Sequence, residues 1–193
     1  MTAIFPVSEA KVAALKALEA TTLEYTAVIN GFFTDYYVTP KVPSRMGPFP
    51  GIVDMVNNAA AIPGSGDVPV AFTHTTDVAR FAASLLDLAT WRPESYVVGE
   101  KVTWKEFVAI AEEAKGVKFD VQFDALEKLE KGQVSELPAY KDVYPFFPKE
   151  MLHSFVAMFG ILFEKGFFDF DGDAGQGGVQ ARSVRELLKQ AWQ

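Results

Sequence analysis

Apolar and polar residues follow two patterns along this chain, one with the spacing of an α-helix and one with the alternation of a β-strand. The helical pattern predicts six helices, over residues 8–21, 78–89, 103–116, 126–133, 149–165 and 183–192. Short apolar runs predict strands at residues 24–29, 68–73, 95–99 and 118–125. Residues 38–50 contain four prolines, which exclude a regular helix or a central strand, so we expect a surface loop there.

Helices and short strands alternate in this order, which is typical of an α/β domain with a largely parallel sheet covered by helices. At 193 residues the chain has an ordinary size for one domain, spanning 1–193. The order begins with a helix, and no strand–turn–helix unit carries the G-x-G-x-x-G spacing that holds a pyrophosphate. The glycines at 64–66 and 172–178 have neither that spacing nor that setting. We therefore predict an α/β fold without a dinucleotide-binding glycine loop.

Composition narrows the set of partners. The formal net charge is -7, which argues against nucleic acid or a membrane surface as the main partner. The chain has no cysteine, and its two histidines, His74 and His153, lie far apart, so we expect no metal site. The longest apolar run, residues 155–163, is shorter than the roughly 20 residues of a membrane-spanning helix, and the first residues do not have the pattern of a signal peptide. We expect a cytoplasmic protein.

Lys11 stands out within the first predicted helix. At about 100° per residue, Leu15 and Leu18 project within about 40° of it, so the lysine lies in the middle of the apolar stripe, whereas Lys16 does not. One interpretation is a lysine that lays its stem on the stripe and lifts its ammonium into water. The other is an ammonium at the edge of a pocket, where it passes a proton to a substrate oxygen. Periodicity alone leaves both open.

The segment EAKVAALKALEATTLEYTAVINGFF, residues 9–33, resembles a segment of the NmrA-like and isoflavone-reductase-like proteins, a branch of the atypical short-chain dehydrogenases. That segment reads roughly K-x-x-I-R-R-x-I-E-x-x-G-I-x-Y-T-x-V-x-x-N-x-F. The matching positions are Lys11, Leu18, Glu19, Leu23, Tyr25, Thr26, Val28, Asn30 and Phe32. The resemblance continues through PVAFTHTTDVARFAASLLD and VGEKVTWKEFVAIAEEAKG and covers nearly the whole chain.

This resemblance implies a set of site residues. The lysine of the motif is the proposed catalytic residue of the reductase members, and it falls on Lys11. The stretch after the first strand lies beside the nicotinamide and the substrate in these proteins. The implied cofactor-binding residues are Asn30 and Phe32, and the implied substrate-binding residues are Phe33, Tyr36, Tyr37 and His74. Without the family, the phenylalanines favour the core, Asn30 favours a turn, and His74 favours a hydrogen-bonded structural role.

The chain departs from the family in two ways. Leu15 and Lys16 stand where many reductases have paired basic residues, and the nucleotide-binding first half of the fold is absent. We therefore expect an incomplete Rossmann-type parallel sheet that lacks the N-terminal dinucleotide-binding half and retains the substrate-binding C-terminal region. Either the sequence is an N-terminally truncated fragment or it is a shortened relative.

Three functions follow from the resemblance. The first is an NAD(P)H-dependent reductase of a small, aromatic or unsaturated carbonyl-type molecule, or the substrate-binding part of one, with Lys11 as proton relay. The second is a redox-sensing regulator that binds the dinucleotide and a protein partner without turnover. The third is an inactive fragment. The cofactor would be NADP or NAD in the complete protein, binding by this chain alone is an open question, and a homo-oligomer stays open as well.

Three further features have simpler interpretations. Asp77 is interpreted as a helix cap or a first-turn acid. Asp169, Asp171 and Asp173 are interpreted as an acidic turn, because the later positions of a calcium loop do not match. Eight phenylalanines crowd residues 145–171, either as a hydrophobic mini-core under the terminal helix, the interpretation we favour, or as an aromatic lid over a flat substrate.

Overall fold

The computed structural model describes residues 6–173 and 178–193, and the side chains from residue 9 onwards. Its helices are α1 (Pro6–Glu19), α2 (Asp35–Val38), α3 (Thr75–Leu85), α4 (Trp104–Lys115), α5 (Leu126–Leu129), α6 (Tyr140–Val143), α7 (Lys149–Glu164) and α8 (Val184–Trp192). Its strands are β1 (Ala27–Asn30), β2 (Phe32–Phe33), β3 (Val53–Asp54), β4 (Ala59–Pro63), β5 (Pro69–Thr73), β6 (Glu94–Val97), β7 (Glu100–Thr103) and β8 (Asp120–Asp124). No helix in the described part of the chain is long and apolar enough to cross a membrane.

The strands form three small sheets. β1 pairs with β6 in parallel. β5 lies between β2, which is parallel to it, and β7, which is antiparallel. β4 lies between the antiparallel β3 and the parallel β8. The predicted α/β class is confirmed, and the single parallel sheet is replaced by three small sheets that each contain a parallel pair.

Gly31 separates β1 from β2 and allows the chain to approach β5 closely. A Cβ added to Gly31 would lie 2.2 Å from the carbonyl oxygen of Ala71, a distance that no side chain tolerates. Phe32 then pairs with Phe72 in the β5 ladder. The sequence favours a turn at Asn30, whereas the structure places Asn30 at the end of β1 and interrupts the strand at Gly31. The close approach gives the reason for a glycine there.

Helix ends agree well with the sequence pattern. Thr103 and Glu106 form a reciprocal capping box at the start of α4, and Gly116 ends that helix with a φ of 66°. Ser183 and Glu186 form the same arrangement at α8. The N-cap of α3 is His74, whose ring accepts a hydrogen bond from the backbone of Thr76. Asp77 is therefore a first-turn acid and not the cap.

The aromatic residues between 145 and 171 pack differently from the interpretation favoured by the sequence. α8 packs on α4 and α2. Phe159, Phe163 and Phe168 instead surround Phe32, with ring centroids 5.7, 5.1 and 6.0 Å from it. The mini-core under the terminal helix is thus wrong, because the phenylalanines of α7 and the turn after it cover the end of β2.

A buried carboxylate joins the ends of β2 and β5. Asp35 is fully buried at the start of α2 and accepts hydrogen bonds from the backbone N–H of Thr75 at 2.9 Å and from the Thr75 hydroxyl. The Ser44 hydroxyl also donates to it. These bonds fix α2, the start of α3 and the proline-rich loop relative to one another.

His74 lies beside this carboxylate and is held in its neutral form. Its Nδ1 accepts from the Thr76 N–H at 3.2 Å, which places the ring proton on Nε2, 3.5 Å from Asp35. Burial lowers the pKa of His74, the guanidinium of Arg182 lowers it further, and the carboxylates of Asp35 and Asp77 oppose this. Arg182 in turn bonds Asp77 through its Nε at 3.1 Å.

Replacing Gly31 by alanine should destabilise the fold. The added methyl group meets backbone of β5, which cannot move without breaking the ladder, so we expect Gly31→Ala to lower the free energy of unfolding by about 1–3 kcal/mol. Urea unfolding measures this change. Gly47→Ala is the control, because nothing lies within 4 Å of a Cβ at Gly47. Equal stability of the two variants would contradict the close approach.

The free energy of unfolding should also decrease as the pH is lowered, because of His74. Below a pH of about 6.5 the unfolded chain binds a proton on this histidine that the folded protein does not, so the free energy of unfolding decreases as the pH drops. His74→Asn keeps a capping side chain and removes the titration. Burial also lowers the pKa of His153, so some pH dependence will remain. We expect a shallower decrease in His74→Asn than in the wild type in urea unfolding between about pH 6.5 and 5, and identical slopes would contradict a depressed pKa at His74.

Candidate functional site

A cavity of about 650 Å³ runs along the whole of β1 and reaches past the carboxyl end of β2 to Tyr36, and we name it the lysine cavity. It is lined by Lys11, Ala14, Leu15, Leu18, Ala27, Val28, Ile29, Asn30, Gly31, Phe32, Phe33, Tyr36, Phe159 and Phe168. In open α/β sheets, ligands bind at the carboxyl ends of the strands. The position of this cavity therefore makes it the first candidate for a binding site.

Helix α1 supplies one wall of the lysine cavity and places Lys11 on it. Leu15 and Leu18, on the same stripe, are half-buried, whereas Lys11 is exposed. The apolar stripe therefore faces the cavity, and Lys11 lines it while remaining exposed to solvent. A lysine so placed can reach a ligand oxygen in the cavity while its stem covers apolar surface.

The floor of the lysine cavity comes from β1 and β2. Asn30 donates from its side-chain amide to the carbonyl oxygen of Gly31 at 2.9 Å, which fixes the amide and leaves its oxygen as an acceptor. Phe32 is only 8% exposed and packs within an aromatic cluster, so it serves the core as well as the cavity. Phe33 is half-buried and lines the lysine cavity.

A second cavity of about 420 Å³ adjoins the first, and we name it the aromatic cavity. Its lining is Phe32, Tyr36, Gly47, Pro48, Phe49, Gly51, Ile52, Val143, Phe147, Phe155, Val156, Phe159 and Phe163. Phe32, Tyr36 and Phe159 line both cavities. Four of the phenylalanines between residues 145 and 171 thus form the wall of a cavity, as an aromatic lid would.

Tyr37 and His74 line neither of these two cavities. Tyr37 is 2% exposed and its ring packs against Phe107, with centroids 4.8 Å apart. His74 is fully buried against Asp35 and Arg182. The structure thus brings Lys11, Asn30, Phe32, Phe33 and Tyr36 together and places Tyr37 and His74 in the surrounding structure.

Sequence reasoning missed Asp35, on which the position of Tyr36 depends. The backbone carbonyl oxygen of the next residue, Tyr36, accepts a hydrogen bond from the N–H of Phe49 at 3.2 Å. This bond attaches the proline-rich loop to α2 next to the buried carboxylate. The available signal is an aspartate two positions after an apolar strand and directly before two tyrosines. Such an acid can be exposed or buried, and its partner, Thr75, is 40 residues away.

The aspartates of the acidic turn, Asp169, Asp171 and Asp173, form ion pairs with basic side chains. Lys101 lies 3.1 Å from Asp169 and 2.6 Å from Asp171, and Asp173 pairs with Arg92 at 2.5 Å. Within residues 6–173 and 178–193, no three histidine, aspartate or glutamate side chains are grouped so that they could hold a metal ion.

Several known proteins are similar to this chain. Oxidoreductase BOA1 of Botryotinia fuckeliana is 38% identical over 114 residues, which are 59% of this chain and 38% of that protein. The structure of the Citrobacter sp. triphenylmethane reductase in complex with NADP(H) matches 98% of this chain and 60% of its own, with a TM-score of 0.68 and 20% identity. An isoflavone reductase matches with the same TM-score, identity and coverage. No family model matches.

These matches cover only part of each relative, so they establish the fold of this chain and not the activity of the whole relatives. The chain spans 38% of the curated relative and 60% of the two solved chains, so it corresponds to a part of each of them. At 20% identity the solved structures establish the fold. The resemblance is thereby confirmed at the level of the fold: this chain has the fold of the C-terminal portion of reductases such as these two.

Proposed function

We propose that the chain forms the substrate-binding part of an NAD(P)H-dependent reductase that acts on a small, largely apolar molecule with a carbonyl-type group. The observation that carries this proposal is the junction of the two cavities. Lys11, Asn30 and Tyr36 place polar groups around the lysine cavity, and the adjoining cavity is walled by phenylalanine. A polar site beside an apolar chamber suits a substrate with one reacting polar group on an apolar body.

The residues of the lysine cavity fit the nicotinamide end of the cofactor. A cavity of about 650 Å³ accommodates a planar ring with its ribose, and the Asn30 amide can bond a carboxamide. The pyrophosphate end has no counterpart here, since no glycine loop joins a strand to a helix in this sequence. The triphenylmethane reductase with the same fold was solved with NADP(H), which supports NADP as the cofactor of the complete protein.

When bound, the reduced nicotinamide supplies a hydride. In the proposed mechanism, the Lys11 ammonium donates its proton to the substrate oxygen, which gains negative charge as its carbon is reduced. Asn30 helps to orient the reacting group. The aromatic walls keep water away from it, which strengthens each hydrogen bond formed inside.

Replacing Lys11 tests this role. In the enzyme that carries this chain, Lys11→Met keeps the stem and removes the ammonium, so we expect kcat to fall about a hundredfold or more while NADPH affinity changes little. Loss of NADPH absorbance with a panel of quinones, enones and aromatic aldehydes measures turnover. Lys16→Met is the matched control, since Lys16 lies on the same helix and lines neither cavity.

Two results would contradict the proposal. A Lys11→Met variant with wild-type kcat would remove Lys11 from the mechanism. Absence of NADPH oxidation with every member of the panel, together with different affinities for NADPH and NADP⁺, would instead assign the regulatory function.

A further inference from the structure

Tyr36 stands between the two cavities. Its ring lies 6.2 Å from that of Phe33, which lines only the lysine cavity of the two. On its other side it lies 5.6 Å from Phe49, which lines the aromatic cavity. The third ring in contact, Phe32 at 5.5 Å, belongs to both. Tyr36 lines both cavities together with Phe32 and Phe159, so a ligand that extends from one cavity into the other borders these three side chains.

Tyr36 also carries the only polar side-chain atom in the described lining of the aromatic cavity. The other residues of that lining are phenylalanine, valine, isoleucine, proline and glycine. The structure shows no hydrogen bond from the Tyr36 hydroxyl to any described residue. A heteroatom of a ligand in this cavity therefore has one side chain with which to form a hydrogen bond, and that side chain lies on the side of Lys11.

The hydroxyl can donate a hydrogen bond. A phenol keeps its proton at neutral pH even at its ordinary pKa. Partial burial raises the pKa of Tyr36, and the Asp35 carboxylate raises it further, so both act in the same direction. A carbonyl oxygen, which only accepts hydrogen bonds, is the natural complement of this hydroxyl, whereas a hydrocarbon has nothing to offer.

The position of this donor is fixed from two sides. The buried Asp35 anchors α2 to Thr75, and the Tyr36 carbonyl accepts from the Phe49 N–H at 3.2 Å. A donor whose backbone is held in place loses little entropy when it binds. This arrangement allows the hydroxyl to distinguish between ligands of the same shape.

We propose that Tyr36 is a specificity-determining residue that selects ligands with a carbonyl oxygen at the junction of the cavities, holding their apolar rings among the phenylalanines with the oxygen turned towards Lys11. This inference deepens the proposed function and rests on it for the ligand class. Binding without NADPH tests it separately, because no reduction is then needed.

The test compares two ligands that differ only in the carbonyl, 1-indanone and indane. Their dissociation constants are measured by ligand-observed NMR titration with the wild-type chain and with Tyr36→Phe, which keeps the ring. We expect the dissociation constant of 1-indanone to rise about threefold to tenfold in Tyr36→Phe, because a net hydrogen bond is lost. That of indane should change less than about twofold.

Two control variants separate the hydroxyl from the cavity. Tyr144→Phe also removes a hydroxyl from a half-buried tyrosine, one that bonds His153 instead of lining either cavity, and should leave both constants unchanged. Phe155→Leu reduces the aromatic wall and should weaken both ligands alike. Thermal unfolding of each variant verifies that it is folded.

The inference is overturned if Tyr36→Phe weakens indane as much as 1-indanone, if it leaves 1-indanone unchanged, or if neither ligand binds the folded wild type. Failure of the reductase proposal has a different signature, since NADPH oxidation can be absent while the selective effect of Tyr36 on 1-indanone persists.

Discussion

The buried carboxylate of Asp35 is the constraint on which the candidate site depends. A carboxylate taken out of water is costly unless its oxygens are satisfied, and here the Thr75 N–H, the Thr75 hydroxyl and the Ser44 hydroxyl satisfy them. These donors come from two separate parts of the chain. Their convergence fixes the first turn of α2, and with it the one tyrosine that borders both cavities.

Close packing on the other side of Tyr36 completes the site. Gly31 lets the chain run from β1 into β2 against β5, which brings Phe32 into the aromatic cluster. α7 then lays Phe159 and Phe163 over the same ring. The side chains that stabilise this part of the fold are also the walls of the aromatic cavity, so stability and ligand shape are set by one group of residues.

Local chemistry made much of this fold predictable from the sequence. Helix α4 was predictable because the capping box and Gly116 mark its two ends. The stripe that Lys11 shares with Leu15 and Leu18 was also visible in the sequence, but it left open whether the ammonium group borders a pocket. β4 was missed because three of its five residues are alanine, which has a weak strand preference.

Long-range partners were beyond sequence patterns. The burial of Asp35 depends on Thr75, and that of His74 on Arg182, 108 positions away. The aromatic-rich segment was recognised, yet its placement against Phe32 and not under α8 is set by how α7 packs on β4 and α5. Composition shows that rings cluster, but tertiary packing decides whether they fill a core or wall a cavity.

The most direct measurement is a crystal structure of the chain soaked with 1-indanone. The account predicts the ligand at the junction of the two cavities, with its carbonyl oxygen within hydrogen-bond distance of the Tyr36 hydroxyl and its rings against Phe49 and Phe159. A ligand bound outside these two cavities would contradict the view that the lysine cavity and the aromatic cavity form one site.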